Sequence, residues 1–512
     1  MSRPWVLGTR GSLLAKTQSF QVALELEKIS GKKIEFEFIK TKGDQIVDKP
    51  LWQIDGKDFF TRELDEALLN GKVDFVVHSY KDLGSDRPEG IQLGAITQRF
   101  FPEDILLIRK EVLSEKPKKL TIGTSSPRRQ VNIKSSLKDF IPWDVEEVEL
   151  SNLRGNVNTR IQKLHDVNEW GYDAIVLALA GLERLALLDD NQEVLKELFH
   201  DLDFMIMPID EFPTAAAQGA LAIEIGPETP KDLIETIKKL NHSETQSCVD
   251  YEKKKFASFG GGCHLAVGMT RQIVNQNSIE VVKGEHKEES IFETSVNQSA
   301  QKQNDFPSVF LGFTDLDLKT NEKEIILDEL VSKKPLTFDL KASDCLVVTS
   351  KHCFHLEKQF NSKSTWVSGN KSWKRLSHLG HWVNGQSPLL TGRKGLWNYF
   401  HSKAIQLLIG AENQIIPSVL TAKGVENNTE HKEELISCYE RVVSEDISAE
   451  FRAKILKTEA FFWTSYAQFQ LYVKKFPEIR EKSHFAAPGR TLEQLESQNI
   501  SVKPILNWES LL

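Results

Sequence analysis

Short apolar runs that end in Gly, Ser, Thr or His and pass at once into helical periodicity recur along this chain, and they confine it to the α/β class. Strands that alternate with helices bury the two faces of a sheet beneath those helices. Val6 to Thr9 reads as one such strand, followed by a helix from Ala15 to Ile29 with Ala15, Phe20, Ala23, Leu24 and Leu26 toward a core. Lys33 to Lys40 alternates Ile34, Phe36 and Phe38, Thr61 to Leu69 is helical, and Asp74 to His78 is a buried strand. A second unit opens at Leu120-Thr121-Ile122-Gly123 and has Asp173 to Leu179 as its buried strand. Pro208 to Glu224 reads as a return to the first unit. With 512 residues the chain exceeds a single core. The expected division is 1–104 with 201–225, then 105–200, then a small α+β segment 226–290. A polar linker at 291–308, rich in Gln298, Gln301 and Gln303, leads to a last region, 309–512.

Composition removes several functions. Sixty-five Lys and Arg against 73 Asp and Glu give a net charge of -8, which excludes a general nucleic-acid binder. The start, MSRPWVLGTRGS, runs straight into strand-like sequence, and the longest apolar stretch, Ala174 to Leu182, is too short for a bilayer. A cytoplasmic protein with no membrane partner is expected. The five cysteines lack CxxC spacing, so neither a disulfide framework nor a metal site is indicated.

Any basic cluster must therefore be local, and two are evident. Gly123-Thr124-Ser125-Ser126-Pro127-Arg128-Arg129-Gln130 joins a strand to a helix with hydroxyls, free amides and two guanidinium groups, a suitable cradle for carboxylate or phosphate. Ser151 to Arg160 adds Arg154 and Arg160 among small and amide residues, and Arg10, Ser12 and Arg184 lie at further junctions. Six junction arginines imply a ligand with several carboxylates. His78-Ser79-Tyr80-Lys81-Asp82 closes a buried strand, where open α/β sheets carry functional groups. Asp82 suits proton chemistry or the stabilisation of a developing cation; pairing with Lys81 at the surface is the alternative. Finally, Gly260-Gly261-Gly262-Cys263 either turns beside a buried thiol or presents that thiol on a loop a bulky group can approach.

Beyond the linker lies a weak internal repeat. Leu346-Val347-Val348-Thr349-Ser350 and Phe461-Phe462-Trp463-Thr464-Ser465 each precede a helix, and each is followed by a glycine junction, at Gly369 and Gly489. Hydroxyls at such ends cap helices or bind anions. A pair of α/β lobes with a cleft is implied.

The blocks LGTRGSLLAKTQ, TKGD, DGKDFFTRE, VDFVVHSYKDL, IGTSSPRRQ, LRGNVNTRIQKL, YDAIVLALAGLERL, AAAQGALAIE and FGGGCHLAVG follow one another as they do in porphobilinogen deaminase, also called hydroxymethylbilane synthase. Over about residues 4 to 290 the chain resembles that family. The resemblance implies two periplasmic-binding-protein-like α/β domains and a small α+β domain, with a dipyrromethane cofactor on Cys263 through a thioether. That primer, itself made from substrate, grows by four porphobilinogen units, each losing ammonia, until hydrolysis releases hydroxymethylbilane. Ser79, Lys81, Asp82, Ser126, Arg128, Arg129 and Arg160 match cofactor-holding positions. Arg10, Ser12, Lys57, Arg154, Arg160, Arg184 and Gln218 match positions for substrate. Asp82 matches the catalytic carboxylate, which meets pyrrole N–H groups and the cationic azafulvene. Three positions depart from the pattern: Gln53 stands where a second lysine is frequent, Glu103 replaces an arginine and Gly84 a proline.

From about 309 to 510 the chain resembles uroporphyrinogen-III synthase, a two-lobed α/β protein. Tyr439 matches its candidate for assisting loss of the hydroxyl from hydroxymethylbilane, with packing as the alternative role, and Ser465 and Thr491 match cleft positions for substrate carboxylates. The joint expectation is a bifunctional monomer that turns porphobilinogen into uroporphyrinogen III. Two alternatives are a deaminase whose C-terminal half only binds product or stabilises it, and, for the first half, a small-anion binding module. The latter would not need Cys263.

Overall fold

The computed structural model describes residues 3–41, 61–84, 86–262, 264–297, 299–300, 306–314, 324–353, 362–426, 430–506 and 508–511. Compact packing divides the chain in two: Met1–Arg271, Val281–Phe292 and Phe400–Asn413 make one unit, and Gln272–Glu280, Glu293–Tyr399 and Gln414–Leu512 the other.

Two five-stranded sheets dominate the first unit and share one plan. In spatial order the first comprises Ile34–Ile39, Trp5–Arg10, Phe75–Ser79, Leu221–Ile225 and Gln92–Ile96. The first three are parallel, and Leu221–Ile225 runs antiparallel to both its neighbours. The second comprises Glu147–Ser151, Lys119–Gly123, Ala174–Ala178, Asp104–Arg109 and Leu202–Ile206, with Asp104–Arg109 antiparallel to both neighbours. Leu202–Ile206, expected with the strands of residues 1–104, pairs instead at the edge of the second sheet, antiparallel to Asp104–Arg109. Each sheet carries one antiparallel strand that follows a crossing of the chain from the other.

Leu7, Val22, Leu26, Phe75, Ile223 and Ile237 close one face of the first sheet, and Leu64, Leu68, Val73 and Val76 the other. The helix expected at Ala15 to Ile29 runs Leu13–Ser30, but Leu24 is 54% exposed; Ala23 and Leu26 define the buried stripe, and a step of one residue from Ala23 turns Leu24 to solvent. A smaller region follows, with helices Lys231–Lys238 and Ser243–Ser258 and a sheet in the chain order Ala266–Val274, Asn277–His286, Glu289–Val296, Ser299–Ala300. The polar segment expected as a linker from 291 therefore begins as strand. Glu289–Val296 is polar because half of its residues are exposed and Val296 alone is buried.

The second unit has two sheets of its own. Glu324–Leu327, Ser308–Leu311, Ala460–Trp463, Ser483–Ala486 and Val502–Pro504 form a parallel five-stranded sheet. Val331–Pro335, Glu434–Val443, Ser418–Ala422, Ser343–Val348, Ser362–Val367 and Gly385–Gln386 form a six-stranded one, parallel except at its first strand. Where the chain leaves the first of these for the second, buried Asp328 fixes the crossing. Its carboxylate accepts from Tyr472 Oη at 2.6 Å, Gln468 Nε2 at 2.5 Å and Leu330 N at 2.9 Å. The expected repeat places one copy in each sheet: Gly369 stands before helix Asn370–His378 and Gly489 before helix Arg490–Ser497.

Candidate active site

Strand Phe75–Ser79 ends in one tight 3-10 turn, Tyr80–Asp82. Tyr80 is buried beneath it, Lys81 is half-buried and Asp82 is exposed. Tyr80 N donates to Ala220 O at 3.0 Å, and Leu83 N closes the turn on Tyr80 O at 3.2 Å. Gln18 donates to Ser79 Oγ at 2.8 Å, and Ser12 caps the helix that carries Gln18, accepting from Ala15 N at 3.3 Å. Arg10 ends the neighbouring strand at the same sheet edge.

The second sheet supplies the positive charge. Pro127 opens helix Pro127–Ser136, and the hydroxyl of Ser126 makes no capping bond. Ser125 Oγ donates to Leu153 O at 2.9 Å and accepts from Leu153 N at 3.0 Å, which ties the loop after one strand to the loop after the next. Arg160 is thereby brought close enough to Arg129 and Arg154 to feel their charge. Arg160 Nε also donates to Gly155 O at 2.8 Å.

Asp104, at the start of its strand, takes Arg128 Nη1 at 2.9 Å and Arg129 Nη2 at 2.6 Å. Burial opposes its charge, but the two guanidinium groups prevail and hold the carboxyl well below its ordinary range. Gln218 joins the sheets: its Nε2 donates to Asp104 Oδ1 at 2.8 Å, and its Oε1 accepts from Lys81 Nζ at 3.1 Å. The hydrogen bonds of Arg128, to Asp104 and to Pro213 O, both run through Nη1.

This cluster holds more positive charge than it neutralises. Burial lowers Lys81 to about 8, and Arg129 and Arg128 push the same way against Asp82 and Asp104. Burial likewise brings Arg160 to about 10, with Arg129 and Arg154 adding repulsion and Asp82 opposing it. Lys81, Arg128, Arg129, Arg154 and Arg160 thus face two carboxylates, one already spent on two arginines. Desolvated cations in surplus are the complement of an anionic ligand.

Arg184 stands apart. Burial alone lowers it to about 10, its Nη2 donates to Gly219 O at 2.7 Å, and its guanidinium lies 4.9 Å from the centre of the Phe100 ring. Its Nε is buried without a partner, beside a cavity of about 270 Å³ that Gln21, Gln98, Phe100 and His242 also line. That cavity does not include Asp82 or the arginine cluster. Cys263 and Lys57, both expected in the site, lie outside the described residues, as does Gln53. Beside Cys263, Gly260, Gly261 and Gly262 have φ of 93°, 61° and 97°, a left-handed run that only glycine accepts without strain.

Several participants escape a reading of the sequence. Fully buried Glu252 accepts from Arg99 Nη1, Arg271 N and Ala217 N, each at 2.7 Å. Its neighbour Lys253 reaches the Asp82 turn, donating to Tyr80 O and Leu83 O. Below the turn, Arg87 donates to Glu224 at 2.8 Å and to Asp65 at 2.5 Å, with His78 Nε2 3.3 Å from Glu224. Helical spacing contained a signal for Glu252, since Cys248 and Val249 place it on an apolar stripe.

In the second unit, Tyr439 is buried on strand Glu434–Val443, its ring centre 5.7 Å from that of His352, whose Nε2 lies 2.9 Å from Lys333 Nζ. Ser465 caps helix Tyr466–Lys475 through Gln468 N at 3.3 Å, and Thr491 Oγ1 donates to Thr464 O at 3.4 Å. These two stand at the five-stranded sheet, Tyr439 on the six-stranded one.

Residues 5–232 match the model of the porphobilinogen deaminase, dipyromethane cofactor binding domain. A porphobilinogen deaminase from a Nitratiruptor species is 37% identical over 276 residues, 54% of this chain and 81% of that protein. This chain belongs to the porphobilinogen deaminase family. The deaminase of Geobacter metallireducens is 38% identical over 270 residues, 52% of this chain and 77% of its own. A solved uroporphyrinogen-III synthetase from Helicobacter pylori covers 40% of this chain and 95% of its own at 11% identity, with a TM-score of 0.27, too slight a likeness to carry weight. The deaminase family's dipyrromethane is a polycarboxylate, and the surplus of buried cations around Asp82 fits it. Among the described residues no helix is long and apolar enough to cross a membrane.

Proposed function

We propose that this chain builds hydroxymethylbilane from four porphobilinogen molecules on a dipyrromethane primer tethered at Cys263, and that its C-terminal half then closes the product, with inversion of the last ring, to uroporphyrinogen III. One observation carries the first activity: the exposed carboxylate of Asp82 sits among cations whose own carboxylate partner, Asp104, is already taken. When bound, dipyrromethane supplies the free pyrrole carbon on which the chain grows. Lys81, Ser126, Arg128, Arg129 and Arg160 hold its acetate and propionate groups, replacing the hydration those cations lose on burial. Arg154, Arg10 and Ser12 meet the incoming porphobilinogen, and Gln218 keeps Lys81 aligned. Lys57 completes the substrate contacts, while Arg184 belongs to the separate cavity beside Phe100 and His242. Asp82 accepts the pyrrole N–H and stabilises positive charge as ammonia leaves the aminomethyl group. An exposed carboxylate can do this; Asp104, spent on two guanidinium groups, cannot.

The second activity rests on the repeat of strand, hydroxyl and glycine junctions in the two sheets of the C-terminal unit. Tyr439 assists departure of the hydroxyl from hydroxymethylbilane, and Ser465 and Thr491 bind its carboxylates. Mass spectrometry of the full-length protein should find a dipyrromethane adduct that Cys263→Ala abolishes; a fully active protein without the adduct overturns the tether. Incubation with porphobilinogen followed by separation of the oxidised isomers should give type III product. Predominantly type I product removes the second activity and leaves the first.

A further inference from the structure

Lys253 lies on helix Ser243–Ser258, which leads into the Gly260-Gly261-Gly262 segment, yet its side chain is spent on the turn that carries Asp82. Its Nζ donates to Tyr80 O at 3.1 Å and to Leu83 O at 2.7 Å, the carbonyls that bracket Lys81 and Asp82. The same ammonium stands 4.3 Å from the centre of the Tyr80 ring. Two carbonyls and a ring face bound from below leave the turn little freedom to rotate, and rotation is what would swing the Asp82 carboxylate out of line. The helix is itself anchored one residue earlier, where Glu252 is fully buried among Arg99, Arg271 N and Ala217 N. Glu252 therefore fixes the helix, and Lys253 transmits that fixation to the catalytic turn.

We propose that Lys253 is a positioning residue for the deaminase reaction, holding the Asp82 turn in register with the helix that ends at the glycine loop. This rests on the reading of Asp82 as the carboxylate that stabilises the departing-ammonia step. Ammonium and guanidinium can both donate to two carbonyls, so charge and donor count matter more than shape.

The test is made in the full-length protein with porphobilinogen as substrate. Lys253→Met should keep the mass of the dipyrromethane adduct and a KM within about twofold of the parent, while kcat falls roughly tenfold or more, as misplacement of a catalytic group requires. Lys253→Arg should recover most of the loss. On an Asp82→Asn background Lys253→Met should cost nothing further, because the carboxylate it aligns is already gone. A Lys253→Met protein with undiminished kcat overturns the proposal, as does one whose loss is fully accounted for by a missing adduct. So does an additive loss in the double variant. Undiminished kcat in Asp82→Asn alone instead overturns the role of Asp82, and is read separately from the Lys253 arm.

Discussion

Lys81 keeps its proton only to about pH 8 in the folded chain, against 10.5 for an unperturbed lysine, because burial and two arginines act against its charge. Between those values the unfolded chain holds the extra proton, so stability rises with pH through this window and the penalty is borne in full below about pH 8. On a Cys263→Ala background, which lacks the tether, Lys81→Met should flatten that rise in thermal unfolding from about pH 7 to 10.5. Lys253, also lowered to about 8 by burial, leaves a residual slope. Parallel curves for the two proteins would refute the surplus of charge at this site. Asp104 is the counterpart: without it, Arg128 and Arg129 are buried together unpaired. Asp104→Ala should cost about 3–5 kcal/mol in urea unfolding, whereas a loss below about 1 kcal/mol would mean solvent already relieves the arginines.

At the level of elements, strand ends were readable and long-range partners were not. Gly123 ends a strand as its local pattern implies, and the strand expected to close at His78 closes one residue later at Ser79, because apolar runs and Gly or Ser junctions are written in consecutive residues; the polar strand Glu147–Ser151 carried no such signal. The pairing of Arg128 and Arg129 with Asp104 joins residues on different elements, and nothing in FPED marks Asp104 as their partner. Lys253 is hidden for another reason: within EKKKF it resembles its neighbours, and only helix phase separates it from exposed Lys254. Least readable is helix Lys403–Ile409, which lies far along the chain yet belongs to the compact unit of the deaminase domains. Buried Glu183 accepts from Ser402 Oγ, from Lys403 N at 3.2 Å and from Ala404 N at 3.0 Å, placing a carboxylate on that helix's first turn. Removing it by Glu183→Ala should cost about 1–3 kcal/mol and speed amide hydrogen exchange across Lys403–Ile409. Unchanged exchange there would mean that Ser402 alone, which caps Ile405 N at 3.3 Å, holds the helix start.

For the whole molecule, the proposed pairing of two reactions in one chain has a chemical motive, because free hydroxymethylbilane closes spontaneously to the wrong isomer. The residues assigned to the two steps lie in different compact units, Asp82 in one and Tyr439 in the other. Loss of either should therefore leave a different signature. Asp82→Asn should cut porphobilinogen consumption to a small, measurable residue. Tyr439→Phe should leave consumption intact and shift the product toward the type I isomer, since the hydroxyl then departs without assistance and closure occurs unguided. Mixing the two variants separates release from retention of the intermediate. Hydroxymethylbilane made by the Tyr439→Phe chains and released into solution can reach the intact Tyr439 of the Asp82→Asn chains, so type III product should rise as the latter are added in excess. A product that stays type I at every ratio would mean the intermediate is never shared between chains. Type III product from Tyr439→Phe alone would return Tyr439 to a packing role, consistent with its burial against His352.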